Sequence, residues 1–224
     1  MRWALQPGNT PLFGAERGCD EFEQRLLRFD GPGAAERHEA DDEVLYVLQG
    51  AGRATVGGER VELEAGTAVY AARGTTWQVD EADRLELLSV LVRDPDEPGA
   101  AHAVVAVDSA EQGAATAGRM FRLLATPERG CASVTQFVGY IPVGRAPDHF
   151  HKYDEVVYVL DGHGALHIDG ETEPLRAGTC VHLPAGLVHC LENTGPGEMR
   201  VLGVFRPAGS PAEAYYPDGT RAQY

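Results

Sequence analysis

The chain has 224 residues and a net charge of −15, with 43% hydrophobic and 24% charged residues. That balance is ordinary for a globular protein with a buried core, and the negative charge speaks against phosphate backbones and anionic bilayers as partners. The segment MRWALQPGNTPLF lacks a basic region followed by an apolar run, and no stretch is apolar enough to span a bilayer, so a cytoplasmic location without membrane contact is expected.

Gly (27) and Pro (14) are frequent, which favours short strands and tight turns over long helices. The first patterned segment, EVLYVLQGAGRATVGGERVELEAGTAVYAARG, covers residues 43–74. It recurs at residues 155–186 as EVVYVLDGHGALHIDGETEPLRAGTCVHLPAG, ungapped at an offset of 112, with 15 of 32 positions identical. The same offset pairs Glu16-Arg17-Gly18-Cys19 with Glu128-Arg129-Gly130-Cys131. A period of half the chain means two whole domains rather than a solenoid. The acidic, Pro- and Gly-bearing stretch DPDEPGA (94–100) is the expected start of the linker, and the domains are placed at residues 1–105 and 106–224. Helical spacing is confined to SAEQGAATAG (109–118) and PAEAYY (211–216). Elsewhere, short β-branched and aromatic runs end in glycine turns every ~8–12 residues, the rhythm of a small antiparallel barrel. Cys19, Cys131, Cys180 and Cys190 show no CxxC pairing and read as reduced thiols.

The second unit carries the chemistry. His149 and His151 are two residues apart, so on an extended strand both imidazoles face one side. Glu155 opens the next strand, and His189 follows the Pro184–Gly186 corner. Three nitrogens and one carboxylate suit a single divalent transition ion such as Fe, Mn, Ni, Co or Zn.

These residues resemble the two motifs of the cupin superfamily. The first is seen in Gly144, His149, His151, Glu155 and Gly162, and the second in Gly178, Pro184, Gly186, His189 and Asn193. The spacer after Gly144 is one residue shorter than usual, while the ligand-to-ligand spacings are intact. The resemblance implies an all-β chain of two tandem cupin barrels, with a metal held by His149, His151, Glu155 and His189. The offset places Arg37, Glu39, Glu43 and Trp77 under those four ligands, and Ala72 under Pro184. A one-residue slip lets His38 stand beside Glu43. The expectation is therefore a degenerate first barrel, its former pocket filled by Trp77, and a metal site in the second barrel alone.

Other residues carry weaker cases. His182 either orients a ligand or substrate or points to solvent, and His167 is likewise open. Strand parity turns Cys190 away from the metal. Arg145, Lys152 and Arg206 are near the motifs and either meet an anionic substrate or are surface cations. Tyr140 and Phe150 line the pocket wall or belong to the core.

For function, the leading expectation is a metal-dependent enzyme acting on a small organic molecule, in which Glu155 also accepts a proton. The three-residue gap between His151 and Glu155 is closer to the quercetinase-like oxygenases than to the oxalate decarboxylases, implying a dioxygenase. A ureidoglycine aminohydrolase-like hydrolase is the first alternative, although His189 stands where that group tends to carry glutamine. A non-catalytic metabolite-binding cupin is the second. Monomer and homodimer are both compatible with the duplication.

Overall fold

The computed structural model describes residues 11–97 and 99–222. Residues 1–10 of the opening segment and Pro98 of the expected linker lie outside the described residues. The fold is all-β, and the chain divides into two compact units. One runs to Ala110 and adds Leu124–Val134, and the other comprises Glu111–Leu123 and the chain from Thr135 onward. Each is a jelly-roll barrel. No helix among the described residues is long and apolar enough to cross a membrane.

In the first unit, eight strands form one continuous sheet. Its two long members, Asp42–Val56 and Thr76–Val92, pair with each other from end to end. A flat pair of this length cannot close a barrel. The register shifts between Val47 and Gln49, between Gln49 and Ala51, and between Arg53 and Ala54, and such bulges bend both strands around the core. Inside lie Leu45, Val47, Val69, Trp77, Leu85 and Leu87, all buried.

The second unit makes the same bend by breaking its strands. A six-stranded sheet has the order Cys180–Leu183, Asp154–Asp161, Met199–Arg206, Thr135–Ile141, Met120–Ala125, Gln112–Ala114. A four-stranded sheet has the order Gly144–Arg145, His189–Asn193, His163–Ile168, Glu171–Arg176. The chain passes from one sheet to the other at Gly162. That residue takes a φ of +86°, and a Cβ there would stand 2.9 Å from Met199 Cα, so glycine is needed on both counts. The motif residue Asn193 pins the return turn. Its Nδ2 donates to the carbonyls of Ile141 and Gly197, each at 2.8 Å, and its Oδ1 accepts from Gly195 N–H. Ile141, Val157, Val159, Leu166, Leu175, Val181, Met199 and Val201 fill the space between the sheets. Glu155 shares the inward face of its strand with Val157 and Val159 by the two-residue alternation.

The two stretches of helical spacing form no α-helix. Short 3-10 turns at Val107–Ser109 and Thr116–Gly118 flank the strand Gln112–Ala114, and Tyr215 joins β-bridges with Phe150 and Arg221. Gly113 and Gly118 weaken any helix there, and Ala117 sits in the left-handed region at φ +61°. All four cysteines are buried, and none is in a disulfide among the described residues.

Leu166 is 1% exposed and central to the second barrel. Leu166→Ala is expected to lower unfolding free energy by about 2–5 kcal/mol through the cavity it leaves, measured by urea denaturation.

Candidate metal centre

His149 and His189 face each other across a two-residue antiparallel bridge, with His149 N–H donating to His189 O at 3.0 Å and the reverse bond at 2.8 Å. This pairing puts both imidazoles on one side, with ring centroids 4.7 Å apart. His151 follows on the same face, and its backbone carbonyl accepts from Gly186 N–H at 2.7 Å, tying the Pro184–Gly186 corner to the ligand strand. Phe150, between the two histidines, turns the other way and stacks on Tyr215. The three histidines bring one ligand nitrogen each to within 4.8 Å of one another.

Their orientation is fixed from behind. Nδ1 of His149 lies 2.9 Å from Pro147 O, Nδ1 of His151 lies 2.8 Å from Glu213 O, and Nδ1 of His189 lies 2.9 Å from Leu187 O. A carbonyl oxygen only accepts, so each Nδ1 carries the proton and each Nε2 is left with a lone pair. Three lone pairs directed into one space repel unless a cation or proton sits between them. Protonation is opposed: burial, then the neighbouring histidines, pushes the His189 imidazole down to about 3, and burial, then His149, pushes His151 down to about 4. Burial lowers His149 as well. Neutral imidazoles with Nδ1–H held by carbonyls are the arrangement a divalent transition ion uses.

Glu155 lines the same cavity and is 4% exposed. Its carboxyl lies outside the 4.8 Å group formed by the three histidines. It accepts no hydrogen bond from the described residues, and burial, with Asp154 adding to it, raises it to about 8. A buried carboxylate without a donor calls for a cation partner, so the residues present suit a divalent ion. Gly203 makes room for it: a Cβ at that position would lie 2.9 Å from Glu155 Oε1 and 2.3 Å from the Phe137 ring.

The cavity in front of the histidines holds about 90 Å³ of solvent-accessible space and opens outward to solvent. Its lining is mainly apolar, with Phe121, Phe137, Tyr140, Ile141 and Tyr153 prominent. Tyr153 backs the site, stacked on His151 with centroids 4.6 Å apart and on Phe205 at 3.9 Å. Tyr140 thus lies in the pocket wall, and Phe150 does not. His182 is in a different cavity, with its Nε2 2.8 Å from Asp154 Oδ1. His167 contacts Thr172 and Glu192 on the four-stranded sheet. Arg206 stands opposite Asp154 at the end of its strand, away from the cavity lining. Arg145 pairs with Asp148, and Lys152 lies 4.1 Å over the Tyr215 ring. Cys190 is fully buried, and its Sγ is directed at Ala146 O.

The pocket contains two polar residues that sequence reasoning passed over, Thr116 and Arg119. Both precede the first long strand of the barrel, in a stretch without a motif.

The first barrel corrects one expectation. Candidate ligands are not confined to the second half: Glu36, His38 and Glu43 also bring ligand atoms within 4.8 Å of one another. The repeat put Arg37 and Glu39 under His149 and His151, but these two point outward and pair with each other at 2.6 Å. The strand Glu36–Arg37 sets Glu36 opposite Trp77, so the inward face falls one residue earlier and takes Glu36 and His38. His38 Nε2 lies 3.5 Å from both Glu36 Oε2 and Glu43 Oε2. Arg25 Nη2 reaches Glu43 at 2.8 Å and Glu36 at 3.1 Å, and Trp77 Nε1 donates to Glu43 at 2.6 Å. Ser89 Oγ donates to Glu43 as well. Burial raises the Glu43 carboxyl, but His38, Arg25, Ser89 and Trp77 outweigh it and hold it below its ordinary value. Trp77 therefore serves this pocket as a hydrogen-bond donor in addition to packing in the barrel core.

These observations define a duplicated jelly-roll barrel protein with a histidine-lined cavity equipped for a metal ion. The chain belongs to the cupin family: the Cupin_2 model, described as a cupin domain, matches residues 30–91 and 136–205, more than half of it. Polyketide synthase CurC of Streptomyces cyaneus is 39% identical over 62 residues, covering 27% of this chain and 40% of that one. The Oxalate-binding protein of Thermotoga maritima is 35% identical over 58 residues, covering 25% and 48%. The chain thus spans less than half the length of either relative. The crystal structure of protein Ylba from E. coli superposes with a TM-score of 0.74 at 16% identity, over 92% of this chain and 86% of that one, a likeness of fold.

Two outcomes test this geometry. His189→Ala is expected to lower bound transition metal by one equivalent per chain in elemental analysis, since two imidazoles remain. Trp77→Phe, which removes a donor from buried Glu43, is expected to cost about 1–3 kcal/mol in chemical denaturation.

Proposed function

We propose that the chain is a metal-dependent enzyme acting on a small organic molecule, with His149, His151, Glu155 and His189 as the ligands of its catalytic ion. The carrying observation is the set of three Nε2 lone pairs held by carbonyl-anchored rings at the floor of an apolar cavity. A purely structural metal would be closed on all sides, whereas this one faces an open, mainly apolar cavity. The finer reading is a mononuclear-metal oxygenase of the quercetinase-like class. An aromatic-walled cavity suits a phenolic or enediol body, and the match to a protein named for polyketide synthesis is in keeping with such a substrate.

When bound, a divalent transition ion supplies Lewis acidity and one-electron chemistry toward O2. The chain's own residues supply the rest. The stacked pair His151 and Tyr153, backed by Phe205, keeps the site rigid. Phe121, Phe137 and Tyr140 exclude water from the substrate body. Glu155 is the acid–base group, being the one carboxyl among the described residues that lines the cavity beside the histidines.

A second reading, a binding protein without turnover, is favoured by the match to a protein named as oxalate-binding. Oxygen consumption by Fe(II)- and Mn(II)-loaded protein with phenolic and enediol substrates separates the two. Uptake stoichiometric with substrate loss is the expected result. Retention of substrate with neither oxygen uptake nor product would leave the binding reading. Glu155→Gln is expected to cut turnover per bound metal by about 10²–10⁴-fold if Glu155 moves the proton, measured as kcat alongside metal content.

A further inference from the structure

Arg119 is the only Arg or Lys among the described residues lining the histidine cavity, and Glu155 is the only acid there. Its guanidinium donates to the Leu191 carbonyl and lies within hydrogen-bond reach of the Cys190 thiol, but no carboxylate among the described residues lies within ion-pair distance of it. Elsewhere in this acidic chain, guanidinium groups find acids readily: Arg25, Arg28, Arg53, Arg93 and Arg145 are all ion-paired. A half-buried guanidinium without a counter-anion bears a desolvation cost that a bound anion would remove.

A second polar group points the same way. Thr116 lines the cavity too, and its hydroxyl oxygen is buried without a hydrogen-bond partner among the described residues. Thr116 and Arg119 bracket the tight Thr116–Gly118 turn, in which Ala117 holds a left-handed backbone and Arg119 N–H returns to Thr116 O at 3.4 Å. The turn sets a hydroxyl and a guanidinium on one wall, next to Met120 and Phe121. Charge counting agrees: three neutral imidazoles and one carboxylate leave a divalent ion with a net charge of about +1, and Arg119 adds another.

We propose that the substrate is a carboxylate with an apolar, ring-sized body, its carboxylate held by Arg119 and Thr116 while the body lies against Phe121, Phe137 and Tyr140. The inference rests on reading this cavity as the substrate site. Arg119 is then a specificity-determining residue and no metal ligand.

The test is calorimetric binding of three probes to wild type, Arg119→Gln, Arg119→Lys and Thr116→Val, each metal-free and Co(II)-loaded. Benzoate carries charge and ring, benzamide the ring alone, and acetate the charge alone. Wild type is expected to bind benzoate at least about tenfold tighter than benzamide or acetate, as a charge-assisted contact and ring burial each contribute on that scale. Arg119→Gln should abolish the preference for benzoate over benzamide while leaving Co(II) content unchanged. Arg119→Lys should keep part of the preference, and Thr116→Val should weaken benzoate binding by about threefold, the scale of one neutral hydrogen bond. The proposal is overturned if wild type does not prefer benzoate, or if Arg119→Gln keeps the preference. If Arg119→Gln fails to fold, equal benzoate preference in wild type, Arg119→Lys and Thr116→Val overturns it. Failure of Co(II) to bind at the histidines, with an Arg119-dependent benzoate preference intact, would defeat the metal reading and leave this one standing.

Discussion

Three backbone carbonyls decide what the second barrel can do. Pro147, Glu213 and Leu187 each fix the proton of one imidazole on its outer nitrogen, and thereby aim three lone pairs at a shared point. Without those carbonyls the rings would be free to turn, and hydrogen bonds between histidines would satisfy them. With them, the site is incomplete until a cation arrives. The barrel supplies the carbonyls by geometry: two come from residues two positions before a histidine, and the third from Glu213 in the C-terminal segment. Tyr153 and Phe205 stack behind, and the strands Asp154–Asp161 and Met199–Arg206 hold that stack in register.

The first barrel handles a buried acid differently. Glu43 is the repeat counterpart of Glu155, yet the two experience opposite fields. Glu155 has no donor and is raised by burial, whereas Glu43 is surrounded by Arg25, Ser89, Trp77 and His38 and is lowered. The same backbone thus offers one carboxyl poised to gain a cation or a proton and another already stabilised as an anion. Glu36 and His38 nevertheless complete a second set of closely spaced potential ligands there, so the two halves differ in donor chemistry, with three histidines against one histidine and two acids.

Much of this was legible in the sequence, because period and spacing are properties of sequence. The offset of 112 announced two homologous barrels, and the two-residue gap between His149 and His151 announced a shared face. What escaped followed from register. The one-residue slip on the strand Glu36–Arg37, which the sequence already allowed for His38 beside Glu43, also turns Glu36 inward in place of Arg37 and Glu39, and that second residue the offset did not show. Phe150 faces away by the same alternation that brings His149 and His151 together, whereas Tyr140 reaches the pocket from the separate strand Thr135–Ile141. Arg119 left no trace: it follows a low-complexity stretch of Ala and Gly, belongs to no motif, and the repeat pairs it with Pro7 rather than another cation. Its significance depends on which acids are near it in space, a three-dimensional fact. The helical spacing near 109–118 misled for a related reason, since small residues fit a helix face as well as the tight turns they form here.

The central claim is that His149, His151 and His189 share one ion through their Nε2 atoms. Crystals grown from protein loaded with Co(II) or Zn(II), with data collected on both sides of the metal absorption edge, test it most directly. The account predicts an anomalous difference peak among those three nitrogens. Absence of a peak there, in crystals of fully metal-treated protein, would contradict it.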